Sequence, residues 1–420
     1  MKTTLALLAF LFTVATAADA QVAPEATAAT AELHYSARYS QNAEFYGGSL
    51  GDSENAILSG NVEYANGFKR RPFTLTFSGG YSWNIAGTSY GDGLFENLLL
   101  SQGIVGRKWN IQVSDNISYL NEAPITGFSG VPGTGEPISG PNPSPPSSQT
   151  ILTLNTRTVS NMVSGEFEHS LNFATALSVG GGSELLRYPD GNGLDTNAQM
   201  ANAGLTRRLN ARNSLSGQYS FTYFSYPGNN LALPISSLVT STALFGYQRV
   251  WNRQITTNVS VGPEWISSSN SAGVPSSTTV AGSASAIDQF RFGSASLNYS
   301  RATSGGGGYL VGAEVDNISA GFAREFERKL TVNLTGGYMR TSGLANQGES
   351  GLANQGEYDG KFGAAMATLR LSRYFTAFAS YTATDQSSGY SLPSNALSGL
   401  WQVVSFGIGY SPREQRINSQ

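Results

Sequence analysis

The stretch PFTLTFSGGYSWN, residues 72–84, puts Phe73, Leu75, Phe77, Gly79, Tyr81 and Trp83 on one side of an extended chain. Thr74, Thr76, Ser78, Gly80, Ser82 and Asn84 fall on the other. Successive side chains of an extended chain point to opposite faces, so this period of two specifies a strand and not a helix. Its apolar face carries rings at both ends. In a sandwich that face would meet a second sheet; in a bilayer it would meet lipid, with the rings at the two interfaces.

The same rule returns along the chain. In SLSGQYSFTYFSY, Leu215, Gly217, Tyr219, Phe221 and Tyr223 alternate with Ser216, Gln218, Ser220 and Thr222. QITTNVSVGPEW sets Ile255, Val259, Val261 and Trp265 against Thr256, Asn258, Ser260 and Glu264. KLTVNLTGGY and VVSFGIGY repeat it, with Leu330, Val332, Leu334 and Tyr338, then Val404, Phe406, Ile408 and Tyr410, on the apolar side. The spacing of such stretches predicts about 18 strands, more than one open sheet holds before it curls or splits.

The connections alternate between two kinds. Short ones hold basic residues: NGFKRR at 66–71, GRK at 106–108, LNARN at 209–213, WNRQ at 251–254, FERK at 326–329 and SRY at 372–374. Long ones are rich in Gly, Pro, Ser and Asn; residues 120–150 alone hold seven of the 16 prolines and cannot be a ladder strand. Of the 25 Lys and Arg residues, 15 lie in or beside the short turns. Acidic residues, among them Glu44, Asp52, Glu54, Asp92, Asp190, Asp195, Glu357, Asp359 and Asp385, are assigned to the long loops. Both sets read first as solvated loop charges; the sharper reading is a basic rim beside anionic lipid headgroups, with acidic loops facing outward. A tandem octapeptide, SGLANQGE at 342–349 and 350–357, reads as a duplication tolerated in an exposed loop.

Residues 1–20 combine an early Lys2, an apolar run from Leu5 to Val14, and Ala18 and Ala20 ahead of Gln21. That is the form of a secretory signal peptide cut after Ala20, and the run falls short of the roughly 20 apolar residues of a membrane-spanning helix. There are no cysteines, so an exported chain of this length is held together without disulfides. Lys and Arg number 25 against 28 Asp and Glu, which gives no footprint for nucleic acid. Two histidines and no cysteine rule out a thiol nucleophile and a Cys/His metal site, and no Ser or Asp partner is spaced to His34 or His169. No catalytic residue, metal or cofactor is expected.

Strands with Phe, Leu, Val, Ile, Tyr and Trp on one face and Ser, Thr, Asn and Gly on the other suit a closed barrel, lipid outside and polar groups within, with no free edge left in lipid. The expected fold is all-β: a closed antiparallel transmembrane barrel of about 18 strands over residues 31–411, with short periplasmic turns and long extracellular loops. A short linker, 21–30, precedes it and a polar tail, 412–420, follows it. Interfacial rings are expected at Phe73, Trp109 and Trp251 near the short turns, and at Tyr81, Trp83, Tyr223, Trp265 and Tyr338 near the long loops. The alternation turns Glu32, Glu63, Glu166, Glu168 and Glu264 inward against Arg38 and Arg370, an acidic excess that predicts weak cation preference.

In this pattern the chain resembles the bacterial outer-membrane β-barrel proteins of the porin-like kind. The resemblance implies the outer membrane of a Gram-negative bacterium as location, with outer-membrane lipid, the barrel-assembly machinery and small solutes as partners. It leaves monomer and trimer open. It also implies a passive or weakly selective channel, with the 120–150 loop as the segment to narrow it. Two other readings stand beside this one: a barrel for export or assembly of a polysaccharide, and a non-conducting anchor presenting acidic loops to a partner. The tail after Tyr410 departs from barrels that end on an aromatic residue.

Overall fold

A computed structural model describes residues 30–46, 52–66, 68–87, 92–120, 157–191, 193–227, 237–269, 274–306, 310–344, 357–388, 399–412 and 415–418. The expected signal peptide, most of the linker and of the 120–150 loop, and most of the duplicated octapeptide lie outside them.

Eighteen long strands follow one another around a single sheet. The first nine are β1 (Thr30–Tyr46), β2 (Ser53–Ala65), β3 (Phe73–Gly87), β4 (Gly93–Val105), β5 (Trp109–Leu120), β6 (Thr158–Ser170), β7 (Thr175–Arg187), β8 (Thr196–Arg208) and β9 (Asn213–Ser225). The second nine are β10 (Ser237–Val250), β11 (Ile255–Ser268), β12 (Ser277–Phe290), β13 (Gly293–Ser304), β14 (Ala313–Phe326), β15 (Leu330–Gly343), β16 (Glu357–Arg370), β17 (Phe375–Ser388) and β18 (Gly399–Tyr410). Each pairs antiparallel with its sequence neighbours, and β1 pairs with β18 from Ala37↔Tyr410 to Tyr46↔Trp401, which closes the barrel. No helix among the described residues is long and apolar enough to cross a membrane, which says nothing of strands.

Past Tyr410 the chain adds a short strand, β19 (Gln415–Asn418), within the segment expected to be a plain polar tail. It pairs with the start of β1 from Thr30↔Asn418 to Leu33↔Gln415, below the β18 pairing. The first strand is 17 residues long, and its lower end would otherwise leave backbone groups unpaired on that side.

The short-turn rim repeats one device. In the turns after β6, β8, β10 and β16 a Leu or Trp is followed by Asn172, Asn210, Asn252 or Ser372. That side chain accepts hydrogen bonds from backbone N–H groups two or three residues on: Ala174 N at 2.9 Å, Arg212 N at 2.9 Å, Gln254 N at 2.8 Å and Tyr374 N at 3.2 Å. A side-chain oxygen standing in for a backbone acceptor is what makes Asn and Ser turn residues.

Exposure follows the period of two. Leu58, Tyr81, Val113, Phe245, Val261, Val280, Leu297, Phe406 and Ile408 are all exposed on the outer wall. The opposite parity lines the interior, where Ser114 meets Ser164 at 2.7 Å and Ser260 meets Ser283 at 2.8 Å. An apolar wall that encircles the whole sheet belongs in hydrocarbon, since soluble proteins rarely expose apolar patches beyond a few hundred Å².

Candidate functional site: the barrel interior and its two rims

Both rims of the outer wall carry aromatic pairs. At the long-loop ends Tyr81 and Trp83 stack at 6.5 Å, and Trp83 lies 6.3 Å from Tyr39 across the sheet; Tyr223 and Trp265 are exposed at the same end. Tyr338 is there too, but its hydroxyl is held by the Asp359 carboxylate. At the short-turn ends stand Phe73, 6.2 Å from Tyr64, the exposed Trp109, and Trp251 beneath the guanidinium of Arg249 at 3.8 Å. Arg291 over Phe292, Arg324 over Phe326 and Arg373 over Tyr374 repeat that stacking at 4.9, 5.0 and 4.5 Å. A charge on an aromatic plane suits an interface where one side is greasy and the other wet.

The inward-phase charges separate by surroundings. Glu63, Glu166 and Glu168 are exposed on the inner wall, beside Thr76, Gln112 and Asn110 in the ladder. Glu32 sits near the short-turn end with His34 Nε2 4.0 Å away, and Arg370 is exposed at the foot of β16. Arg38 lies over the inward ring of Phe378, its guanidinium carbon 3.4 Å from the ring centre. Glu264 shares the inward phase but is only 3% exposed. Its carboxylate accepts from the hydroxyls of Thr303 at 2.9 Å and Thr242 at 3.2 Å, and from the Thr303 backbone N–H at 3.4 Å. It ties β11 to β10 and β13 and presents no charge to the lumen.

Three inward acids escaped the sequence reading, Glu325 at the foot of β14 among them. Glu44, assigned there to the long loops, is inside β1 and 1% exposed, with donors from Tyr46 at 2.6 Å, Ser53 at 3.3 Å and Asn55. Tyr46 in turn stacks on Trp401 at 5.9 Å, next to the closing seam. Glu184 lies inward on β7, between the outward-facing Ser183 and Leu185. Asp359, Asp385, Glu54 and Glu357 are likewise strand residues near the long-loop ends. Only the phase of the alternation, carried to the strand tips, would have found them.

Inside the long-loop end, Leu194, Ala198, Phe224, Tyr226, Leu238, Ile266, Val274 and Val311 form an apolar cluster with Leu344 packed against it. Ala198, Phe224, Leu238 and Ile266 come from the inner wall of four successive strands. Leu194, Val274 and Val311 come from connections that fold inward onto them. The β13–β14 connection bends at Gly306 (φ 87°) and Gly312 (φ 74°), a left-handed backbone that glycine takes without strain. The Tyr226 hydroxyl donates to Gly305 O at 3.2 Å and holds that connection down, and burial pushes the phenol's pKa up. The described residues therefore narrow the long-loop end from the β8–β11 side; the 120–150 segment expected to do so lies largely outside them.

At the same rim Arg157 grips Asp190, Nε to Oδ2 at 2.8 Å and Nη2 to Oδ1 at 2.5 Å. That hydrogen bond holds the Asp190 carboxyl below the usual carboxylate range. Of the histidines, His169 faces outward, stacked on Phe167 at 6.3 Å and on the opposite phase from Glu166 and Glu168. No group of three metal-ligating side chains occurs among the described residues.

No family model matches the sequence, and no curated protein matches it. In structure the chain aligns with OccK2 (OpdF) of Pseudomonas aeruginosa in complex with glucuronate at a TM-score of 0.48 and 13% identity, over 91% of this chain and 97% of that one. It aligns with OccAB3 of Acinetobacter baumannii at 0.48 and 10% identity, over 92% and 99%. With the outer membrane protein opdK of Pseudomonas aeruginosa the values are 0.44 and 9%, over 91% and 98%.

Proposed function

We propose that this chain is a porin-like channel of a Gram-negative outer membrane, short turns in the periplasm, that passes small solutes with a weak preference for cations. The reading rests on one observation above all: the exposed inward-phase charges, set among Ser, Thr, Asn and Gly, are Glu63, Glu166, Glu168 and Glu325 against Arg38, Arg208 and Arg370. Charges lining a confined aqueous path fix the sign of its potential and so favour counter-ions. The preference is weak because Arg38, Arg208 and Arg370 share the interior and because salt screens hydrated charges beyond about 8 Å. Catalysis is not part of the reading: the neighbours of His34 include two carboxylates, Glu32 at 4.0 Å and Glu63 opposite it in the β1–β2 ladder, and His169 faces away from the interior.

Purified protein in planar bilayers is the test. Discrete conductance steps with a reversal potential of cation-selective sign, shrinking as salt is raised, are expected. A protein that inserts without conducting would overturn the channel and leave the surface-anchor reading in its place.

A further inference from the structure

Asn161 Nδ2 donates to Asp115 Oδ1 at 2.6 Å, and this pair lies on the outer wall. The neighbours fix its side. Val113 and Val163, of the same parity, are 46% and 40% exposed, whereas the Ser114–Ser164 and Ser118–Ser160 hydroxyl pairs occupy the inner face. Asp115 is six residues above Trp109 in β5. At about 3.3 Å per residue and a tilt near 40° that is roughly 15 Å above the short-turn rim, well inside an apolar band about 25 Å tall. Elsewhere on the outer wall, among the described residues, charges keep to the ends of strands, as Arg207, Asp288 and Arg324 do below and Arg301, Asp316, Arg340 and Asp359 do above.

The wall beside Asp115 is also unusual in shape. Across the ladder Asp115 is followed by Val163, Ser183 and Gln199, and the next row down reads Val113, Gly165, Gly181 and Ala201. We infer that this outward face of β5–β8 is the contact surface between two copies of the barrel in the membrane. Acyl chains offer a carboxylate no donor, and a charge held at mid-depth against lipid is destabilising. A second copy offers its own Asn161, Ser183 and Gln199 to the acceptor positions that one amide leaves open. Small residues let two walls approach closely enough to use them.

The proposal rests on membrane insertion and not on conduction, so it can fail or stand independently of the channel. The chain has no cysteine, so single cysteines report cleanly. In vesicles, oxidation of Ser183→Cys should give a disulfide-linked dimer, while Ala365→Cys, outward at similar height on β16, stays monomeric. Asp115→Leu should lower the oligomeric fraction in mild detergent at least tenfold, with the folded barrel still resistant to trypsin. A monomeric Ser183→Cys, equal cross-linking at Ala365→Cys, or an oligomer indifferent to Asp115→Leu would each overturn the assignment.

Discussion

The guanidinium carbon of Arg38 lies 3.4 Å from the centre of the Phe378 ring, and beneath that ring is Gly407. A Cβ at Gly407 would come within 2.5 Å of Phe378 Cζ and 2.1 Å of Tyr39 O, so only glycine accepts the ring there. The three residues sit on β1, β17 and β18 and so bridge the seam where the barrel closes.

Phe378→Ala should therefore destabilise the barrel by about 3 kcal/mol, a typical loss for a buried ring. Arg38→Gln, which removes only the stacked cation, should cost roughly 1 kcal/mol. Urea unfolding in lipid vesicles measures both. Equal effects from the two would show that the charge, not the ring on its glycine, pins the seam.

Glu264→Gln should leave ion selectivity unchanged while lowering stability by about 1–2 kcal/mol. The carboxylate is buried and accepts from Thr242 and Thr303, and an amide cannot accept at both of its heavy atoms. Reversal potentials and urea midpoints on the same sample separate the two roles.

The β14–β15 turn holds Glu327 at φ 50° and Arg328 at φ 59°, both left-handed, with Lys329 N donating to Phe326 O at 3.1 Å. Two successive left-handed residues are the backbone of a type I′ turn, which strongly prefers Asn-Gly. Replacing the pair with Glu327→Asn and Arg328→Gly should raise stability by about 1–2 kcal/mol. An unchanged urea midpoint would argue against this turn geometry.

What the sequence made legible was the part of the fold governed by period. The outward set Phe73, Leu75, Phe77, Tyr81 and the strand count both follow from alternation, because one residue of slip would turn every apolar side chain into the lumen. Burial is different. Glu63 and Glu264 share a phase, yet one is exposed and the other is enclosed by threonines from two other strands, a contact that no local pattern encodes. Asp115 was equally readable by parity, but its meaning depends on its depth in the wall and on Ser183 and Gln199 two and three strands away.

Tyr226 should make the long-loop end sensitive to alkali. Its folded-state pKa is raised by burial, so the folded chain keeps a proton that the unfolded chain loses. Its stabilising effect is whole below the ordinary tyrosine value of about 10 and declines as pH rises past it. Tyr226→Phe loses the bond to Gly305 O and, with it, that alkaline dependence. Protease sensitivity of the β13–β14 connection between pH 9 and 11, in about single-unit steps, should rise in the parent chain and stay flat in the variant.

The lumen charges give the most direct test of the channel reading. Glu166 and Glu168 stand two residues apart on the inner face of β6, opposite Gln112 and Asn110, with no basic side chain across that pair of ladders. Converting both to Gln removes two exposed negative charges with little change in volume, so the wall should keep its shape and its conductance at high salt. At about 0.1 M salt, where the screening length is about 10 Å, the reversal potential should move toward the anion side. At about 1 M the length falls to about 3 Å and parent and variant should converge. A parent channel of anion-selective sign, or a double variant that matches it at low salt, would mean that these carboxylates do not face the permeation path.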